Sequence, residues 1–534
     1  MKKIILICFI SFIVISISGK NYFISPTGND TTGTGLIDAP YRTIMKAHQF
    51  VVAGDTVFLR GGTYKMTESQ IYLKSSIWAY MNYLDKSGTS TSKRICYWAY
   101  RGEKPVIDLS AVKPPAYRII VFYVKGSYLH IKGLEIIGTQ VTIADHTQSE
   151  CFRNESGSNN IYEQCVMRDG MAIGFYLTKG SNNLVLNCDA YNNWDSVSES
   201  GRGGNVDGFG FHGNKGSTGN VIRGCRAWLN SDDGYDCINN SENVIFDNCW
   251  AFYNGYSTGF VSRGDGNGFK IGGYGQAPVV SSLPNPIPSY TVKFCMAYRN
   301  KSSGFYANHH VQTGSYWYNN SAYRNSTNFN MLSQKITKSI VTGKDTTLDC
   351  PGFNHILHNN LAYKYSTLRD TLNLGSSTNT FNTFTTGIGV IVDSNDFLSI
   401  DENLLIASRQ ADGSLPNVNF LKLKQGSDLI DKGKNIGFAF YGTVPDLGAF
   451  ESNYSTAVEN IPVDKIPFYP NPVKDILYFK NPVSGSFQIV GLNGKLVHSG
   501  RLDSQLKVSF LEKGVYFLLV NTENTISTYK IIKM

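Results

Sequence analysis

The sequence predicts an all-β fold, a right-handed parallel β-helix followed by a small β-sandwich, and three observations predict it. Glycine is abundant, 52 residues in 534, while runs rich in Ala, Leu, Glu and Lys are scarce, so short strands joined by tight turns are favoured over helices. A Cys-x-Ala pattern recurs through the middle of the chain. A second repeat, a turn residue followed by glycine and an aromatic, runs out of phase with the first.

The first repeat sets the coil. Cys188, Cys225, Cys249 and Cys295 each precede an alanine by two positions and an asparagine by five. The pattern continues in Asn320-Ser-Ala-Tyr-Arg-Asn325 and fades in Asn360-Leu-Ala-Tyr363. Ala190, Ala227, Ala251, Ala297, Ala322 and Ala362 thus mark a unit of roughly 25 residues with insertions in some copies, as a stacked solenoid produces. The cysteines become a row of small core side chains, and no disulfides among them are needed. Asn193, Asn230, Asn254, Asn300 and Asn325 become a ladder at one corner, where an amide satisfies turn backbone and pairs with its neighbours.

The second repeat carries the chemistry. It runs through Ile173-Gly-Phe-Tyr176, Asp207-Gly-Phe-Gly210, Asp233-Gly-Tyr-Asp236, Asn267-Gly-Phe-Lys270 and Ser303-Gly-Phe-Tyr306. Side chains alternate along a strand, so the aromatic points inward and its successor outward. In register, Asp236 and Lys270 occupy one outward position in adjacent coils, side by side and facing solvent. Asp207 and Asp233 stack, with Asp232 beside them. Asp-Gly is also common turn punctuation, as at Asp169-Gly170 and Asp412-Gly413, so each aspartate alone reads as a turn residue. Four carboxylates on one patch are unfavourable without a cation, and clustered carboxylate oxygens are the hard ligands that Ca2+ prefers.

Lys270 alone would read as an ordinary ladder partner of Asp236. Beside a divalent cation it suits a general base, because the cation lowers the lysine pKa and stabilises enolate-like charge on the substrate. Arg263 could hold a substrate carboxylate, and Asn308, His309 and His310 follow the next Gly-Phe string, but each reads equally as a loop residue or turn former and receives no role. The insertions at 196–204 and 274–289 are expected to shape a cleft.

At these residues the sequence resembles polysaccharide lyase family 9, most specifically in Asn205-Val-Asp-Gly-Phe-Gly-Phe-His212, Asn230-Ser-Asp-Asp-Gly-Tyr-Asp-Cys-Ile238 and Gly264-Asp-Gly-Asn-Gly-Phe-Lys-Ile-Gly-Gly273. The resemblance implies a secreted, calcium-dependent pectate lyase acting on pectin or polygalacturonate by β-elimination. Asp207, Asp232, Asp233 and Asp236 are its implied calcium ligands and Lys270 its Brønsted base. Rhamnogalacturonan is a second polymer that the family implies. A β-helical polygalacturonase is an alternative, although the Gly-His-Gly and Arg-x-Lys of that hydrolase are missing where they are expected. A non-enzymatic carbohydrate-binding surface protein is another.

The ends complete the organisation. Lys2 and Lys3 before an apolar run, closed by Ser16-Ile-Ser-Gly19, predict a signal peptide over 1–19. The β-helix is expected over 20–451, opened by a short capping helix and closed by Gly426 to Glu451. A polar linker follows over 452–465. Alternating strands over 466–534 predict the β-sandwich. Its Tyr469-Pro-Asn-Pro-Val473, Gly491-Leu-Asn-Gly-Lys-Leu-Val497 and Leu511-Glu-Lys-Gly-Val-Tyr516 resemble the sorting domain of the type IX secretion system. That likeness implies the secretion machinery as a partner and export across the outer membrane to the cell surface or beyond. The net charge of +8 suits a polyanionic ligand. No nucleic-acid partner is expected, and the chain is expected to act as a monomer.

Overall fold

The computed structural model describes residues 19–144, 148–198, 201–275, 280–364, 371–454, 468–479, 485–491, 496–521 and 526–534. The apolar run of the expected signal peptide and most of the expected linker lie outside these residues. The chain divides into two compact units, Met1–Tyr454 and Ser455–Met534.

Among the described residues, three long sheets of 12, 10 and 11 strands build the first unit, parallel except for the hairpin of Leu73–Ser75 with Trp78–Leu84, and a three-stranded sheet adds the antiparallel pair Ser333–Lys338 and Asp345–Cys350. One coil comprises Leu184–Leu186, Asp189–Tyr191 and Phe209–Phe211, each strand adding to a different sheet. The corner after the first strand requires a left-handed residue, which explains Asn187 (φ 55°), Asn248 (53°), Asn319 (50°) and Asn359 (60°) there. Gly224 takes that position in one coil, and a Cβ on it would meet Asn187 Oδ1 at 2.2 Å.

The repeats are in the expected register. Ala190, Ala227, Ala251, Ala297, Ala322 and Ala362 are successive partners in one sheet. Inside the coil Phe209, Tyr235, Phe269, Phe305 and Phe329 form a ring ladder with centroids 5.2, 4.6, 5.0 and 4.9 Å apart. Such pairs contribute about 0.5–1.5 kcal/mol beyond their buried area. At the corner, each asparagine amide donates to the next, Asn193 to Asn230 at 3.0 Å, then 3.2, 2.9 and 2.9 Å on to Asn325. The nine described cysteines are free and buried, and Cys225 Sγ accepts the Cys188 N–H at 3.3 Å.

The helix Ile44–His48 closes the first coils, its N-terminus capped by the Thr43 side chain and its Ile44 and Ala47 buried in the core. At the far end the structure departs from expectation. The closing segment does not simply stop the solenoid, because residues 397–450 run back along the outside of the 10-stranded sheet. Phe397, Leu405, Phe420 and Leu429 there share a core with Trp228, Trp250 and Tyr298. Arg409 reaches Asp189 at 2.6 Å, and Gln164 donates to Asp412 O at 2.7 Å.

The second unit has, among its described residues, antiparallel sheets of three and four strands around Val473, Leu477, Ile489, Leu518 and Ile531.

Candidate active site

The 11-stranded sheet brings the second repeat together. Phe209 pairs with Tyr235 and Tyr235 with Phe269, which places Asp236 directly against Lys270 in the ladder. The turn residues before these strands form a column. Asp207 Oδ1 accepts the Asp233 N–H at 3.0 Å, Asp233 Oδ1 accepts the Asn267 N–H at 2.6 Å and its amide at 2.9 Å, and Asn267 Oδ1 accepts the Ser303 N–H at 3.1 Å. Each side chain therefore caps the next coil. Asp232 Oδ1 does likewise for the Asp265 N–H at 2.7 Å.

The capping bonds use Oδ1 of all three aspartates; among the described residues Asp207 Oδ2 and Asp232 Oδ2 accept no hydrogen bond, while Asp233 Oδ2 meets the Lys270 amine. One oxygen from each of Asp207, Asp232 and Asp233 lies within 4.8 Å of one from each of the others. Asp236 is outside that group of three. Its Oδ1 accepts the Ile238 N–H at 2.7 Å, and its Oδ2 faces Lys270 Nζ at 3.3 Å. Lys270 Nζ comes closer to Asp233 Oδ2, at 3.0 Å. The four carboxylates thus divide into a cluster of three and a fourth across the lysine.

The sequence expectation that Asp236 and Lys270 face solvent is corrected. Both point out of the sheet, yet the residue Asp236 is 5 % exposed and the Lys270 side chain 13 %. Loops cover them. Ser231 Oγ donates to Gly203 O at 2.7 Å, and the Gly264 N–H donates to Ser231 O at 2.7 Å, so segments from two insertions meet over Asp232.

Burial governs the electrostatics. It pushes the Asp207 and Asp232 carboxyls well above the usual range, reinforced at Asp207 by Asp236 and at Asp232 by Asp233. Asp233 is also raised by burial, with Lys270 opposing the shift. For Lys270, burial disfavours the charged amine, but Asp233, Asp236, Asp232 and Asp207 together outweigh it and hold its pKa well above the ordinary value. A hard divalent cation fits three buried, mutually repelling carboxylates, two of which retain an oxygen without a partner while the third shares its Oδ2 with Lys270.

Of the residues left without a role, His310 is buried and donates to Pro288 O at 2.9 Å, His309 pairs with Asp349 at 2.9 Å, and Asn308 donates to Gly272 O at 2.8 Å. These are packing and turn contacts. The sequence reading missed Asn267 as a support of Asp233, although its place in the repeat signals it.

Stacked coils that carry a buried acidic cluster beside a lysine on one sheet make this a β-helical protein, and the comparisons place it among the polysaccharide lyases. The chain belongs to the Pel9A-like right-handed β-helix family, whose model matches residues 22–358. A pectate lyase L of Dickeya dadantii (strain 3937) is 31 % identical over 81 % of this chain and 90 % of its own. A pectate lyase of Emericella nidulans is 30 % identical over 54 % of this chain and 70 % of its own. Among solved structures, a rhamnogalacturonan lyase superposes with a TM-score of 0.71 at 42 % identity, covering 76 % of this chain and 97 % of that one. The pectate lyase Pel9A superposes at 0.63 and 28 % identity, covering 82 % and 97 %. Membership sets aside the hydrolase and the non-enzymatic readings. Residues 467–534 match a secretion system C-terminal sorting domain, which addresses the chain through type IX secretion to the cell surface or the exterior.

Proposed function

We propose that this chain cleaves a galacturonate-containing polysaccharide of the pectin type by calcium-dependent β-elimination. Lys270 Nζ takes the proton at C5, α to the uronate carboxylate. The released electron pair forms the C4=C5 double bond, the C4–O bond to the leaving sugar breaks, and that oxygen gains a proton. Asp207, Asp232 and Asp233 would hold Ca2+, with Asp236 adding its charge from the Lys270 side. When bound, the cation supplies positive charge that offsets the carboxylate field around Lys270 and attracts the substrate carboxylate.

The protein's own part is positional. Asp233 and Asp236, both on the adjacent coil, hold the amine at 3.0 and 3.3 Å in a mostly buried site. Burial then favours the neutral amine once the opposing negative field is relieved. The observation that carries this reading is that lysine, held outside the sheet against carboxylates of the adjacent coil and beside the cluster of three.

The polymer has two readings. Polygalacturonate follows from the named pectate lyases. Rhamnogalacturonan is favoured by the 42 % identity to a rhamnogalacturonan lyase, against 28 % to Pel9A. Absorbance of the unsaturated product, followed on both polymers with and without chelator, tests the reaction and separates the substrates. New reducing ends that appear with saturated non-reducing ends and no new absorbance would overturn elimination, and full activity in chelator would overturn the calcium site.

A further inference from the structure

Building on the lyase reading, the structure assigns Arg263 as an anchor for a second substrate carboxylate, that of a sugar neighbouring the reacting one. Arg263 sits on the rim of the acidic site. The residues that follow it, Gly264 and Asp265, donate their N–H groups to Ser231 O and Asp232 Oδ1, each at 2.7 Å. A Cβ on Gly264 would approach Asp232 Oδ1 to 2.9 Å, so this backbone lies against the cluster itself.

The Arg263 side chain is held without being neutralised. Its guanidinium carbon lies 3.4 Å from the centroid of the Trp194 ring, a full stacking contact. Trp194 is a fixed platform, since its N–H donates to Gly170 O and its indole N–H to Gly201 O, both at 2.8 Å. The next residue, Asp195, faces the fully buried Arg118 at 3.2 Å, which ties the platform to the wall of the β-helix. Arg263 Nε is buried and has no hydrogen-bond partner, and among the described residues the guanidinium forms no ion pair. The residue remains partly exposed.

Other well-buried arginines are paired with carboxylates, Arg118 with Asp195, Arg153 with Glu150, and Arg226 and Arg409 with Asp189. Arg263 differs from them. A planar cation laid on an indole keeps its plane fixed and its edge open for bidentate contact with a carboxylate. The reacting sugar's carboxylate is drawn to the cation site at the aspartates, so Arg263 receives one from another sugar along the same chain. Ligands for this position are acidic oligosaccharides with more than one uronate.

The test measures binding apart from turnover. In a Lys270→Ala background, with calcium present, affinity for an oligogalacturonate is measured by calorimetry with and without Arg263→Ala. The expected result is affinity weaker by about ten-fold or more, with a shallower salt dependence, as loss of a charge-assisted pair predicts. Arg263→Lys should recover little, because an ammonium lacks the stacking face, and Trp194→Leu should weaken binding in the same direction. With Lys270 intact, Arg263→Ala should raise KM and leave kcat nearly unchanged. Calcium affinity and thermal midpoint, measured on each variant, confirm that the site is folded. Unchanged oligogalacturonate affinity in a folded Arg263→Ala protein overturns the inference, as does full recovery by lysine. Turnover that survives Lys270→Ala would instead overturn the base assignment, which is a separate failure.

Discussion

Lys270 Nζ lies 3.0 Å from Asp233 Oδ2 and 3.3 Å from Asp236 Oδ2, so the carboxylate nearest the lysine is not its ladder partner but the turn residue of the adjacent coil. One side chain therefore touches both halves of the site. Asp233 joins the lysine to the cluster with Asp207 and Asp232, so a cation bound as proposed would be coupled through this contact to the charge on the amine.

That coupling separates two roles for Lys270. Lys270→Arg keeps a positive charge beside Asp233 and Asp236 but supplies a group that does not lose its proton in proteins. A base role predicts that kcat falls about 10²–10⁴-fold in both Lys270→Arg and Lys270→Ala, with calcium affinity retained in the arginine variant. Product absorbance on polygalacturonate and rhamnogalacturonan measures this. An arginine variant with near wild-type turnover would assign Lys270 an electrostatic role instead.

Calcium should stabilise the fold as well as activate it. Burial and mutual repulsion disfavour three ionised aspartates, and a ligand that binds only the native state adds RT ln(1 + [L]/Kd), about 2.7 kcal/mol at a hundred-fold excess over Kd. The thermal midpoint of the β-helix unit should rise with calcium and fall in chelator. In Asp207→Asn/Asp233→Asn the calcium response should vanish. A midpoint indifferent to calcium in the wild-type protein would remove these aspartates as its ligands.

Much of this site was legible in the sequence because the solenoid stacks like on like. Ala190 and Ala227 pair, and so do Asp236 and Lys270, so counting from one repeat to the next reproduces the register. Burial was not legible. The loops around Gly203 and Gly264 that meet beside Asp232 belong to insertions that break the period, and their paths depend on contacts between distant coils. The returning segment was hidden for the same reason, since Arg409 meets Asp189 from 220 positions away in a stretch without periodicity. Trp194 and Arg263 stack across two such insertions.

The asparagine ladder should be a main determinant of stability. Asn254 accepts from the Asn230 amide at 3.2 Å and donates to Asn300 Oδ1 at 2.9 Å and to Ala227 O at 3.0 Å, with the residue fully buried. Asn254→Leu leaves several of these groups unpaired in the core, each at a cost of about 1–3 kcal/mol. Denaturant unfolding should show a lower midpoint, whereas Cys249→Ser, in a row without disulfides, should cost less. A leucine variant as stable as the wild type would show that the ladder is dispensable.

Acid should unfold the β-helix through two buried histidines that are distant from the aspartate cluster in the sequence. His310 Nδ1 accepts the Gly273 N–H at 3.3 Å while its Nε2 faces Pro288 O at 2.9 Å, and this pattern requires the neutral ring protonated at Nε2. His355 Nδ1 likewise accepts the Ser315 N–H at 2.9 Å. Burial lowers His310 to about 4, and burial with the neighbouring His310 lowers His355 to about 3. Both values lie below the ordinary 6.5, so the unfolded chain binds these protons more readily than the native one. The histidine contribution to stability is therefore intact above pH 6.5 and declines as the pH falls from there towards 4, by about 3 kcal/mol for His310 alone. Unfolding midpoints in urea across this interval measure the slope. His310→Gln, which carries no titrating ring, should start less stable at pH 7 but lose less on acidification. An equal slope in that variant would assign the acid limb to other groups.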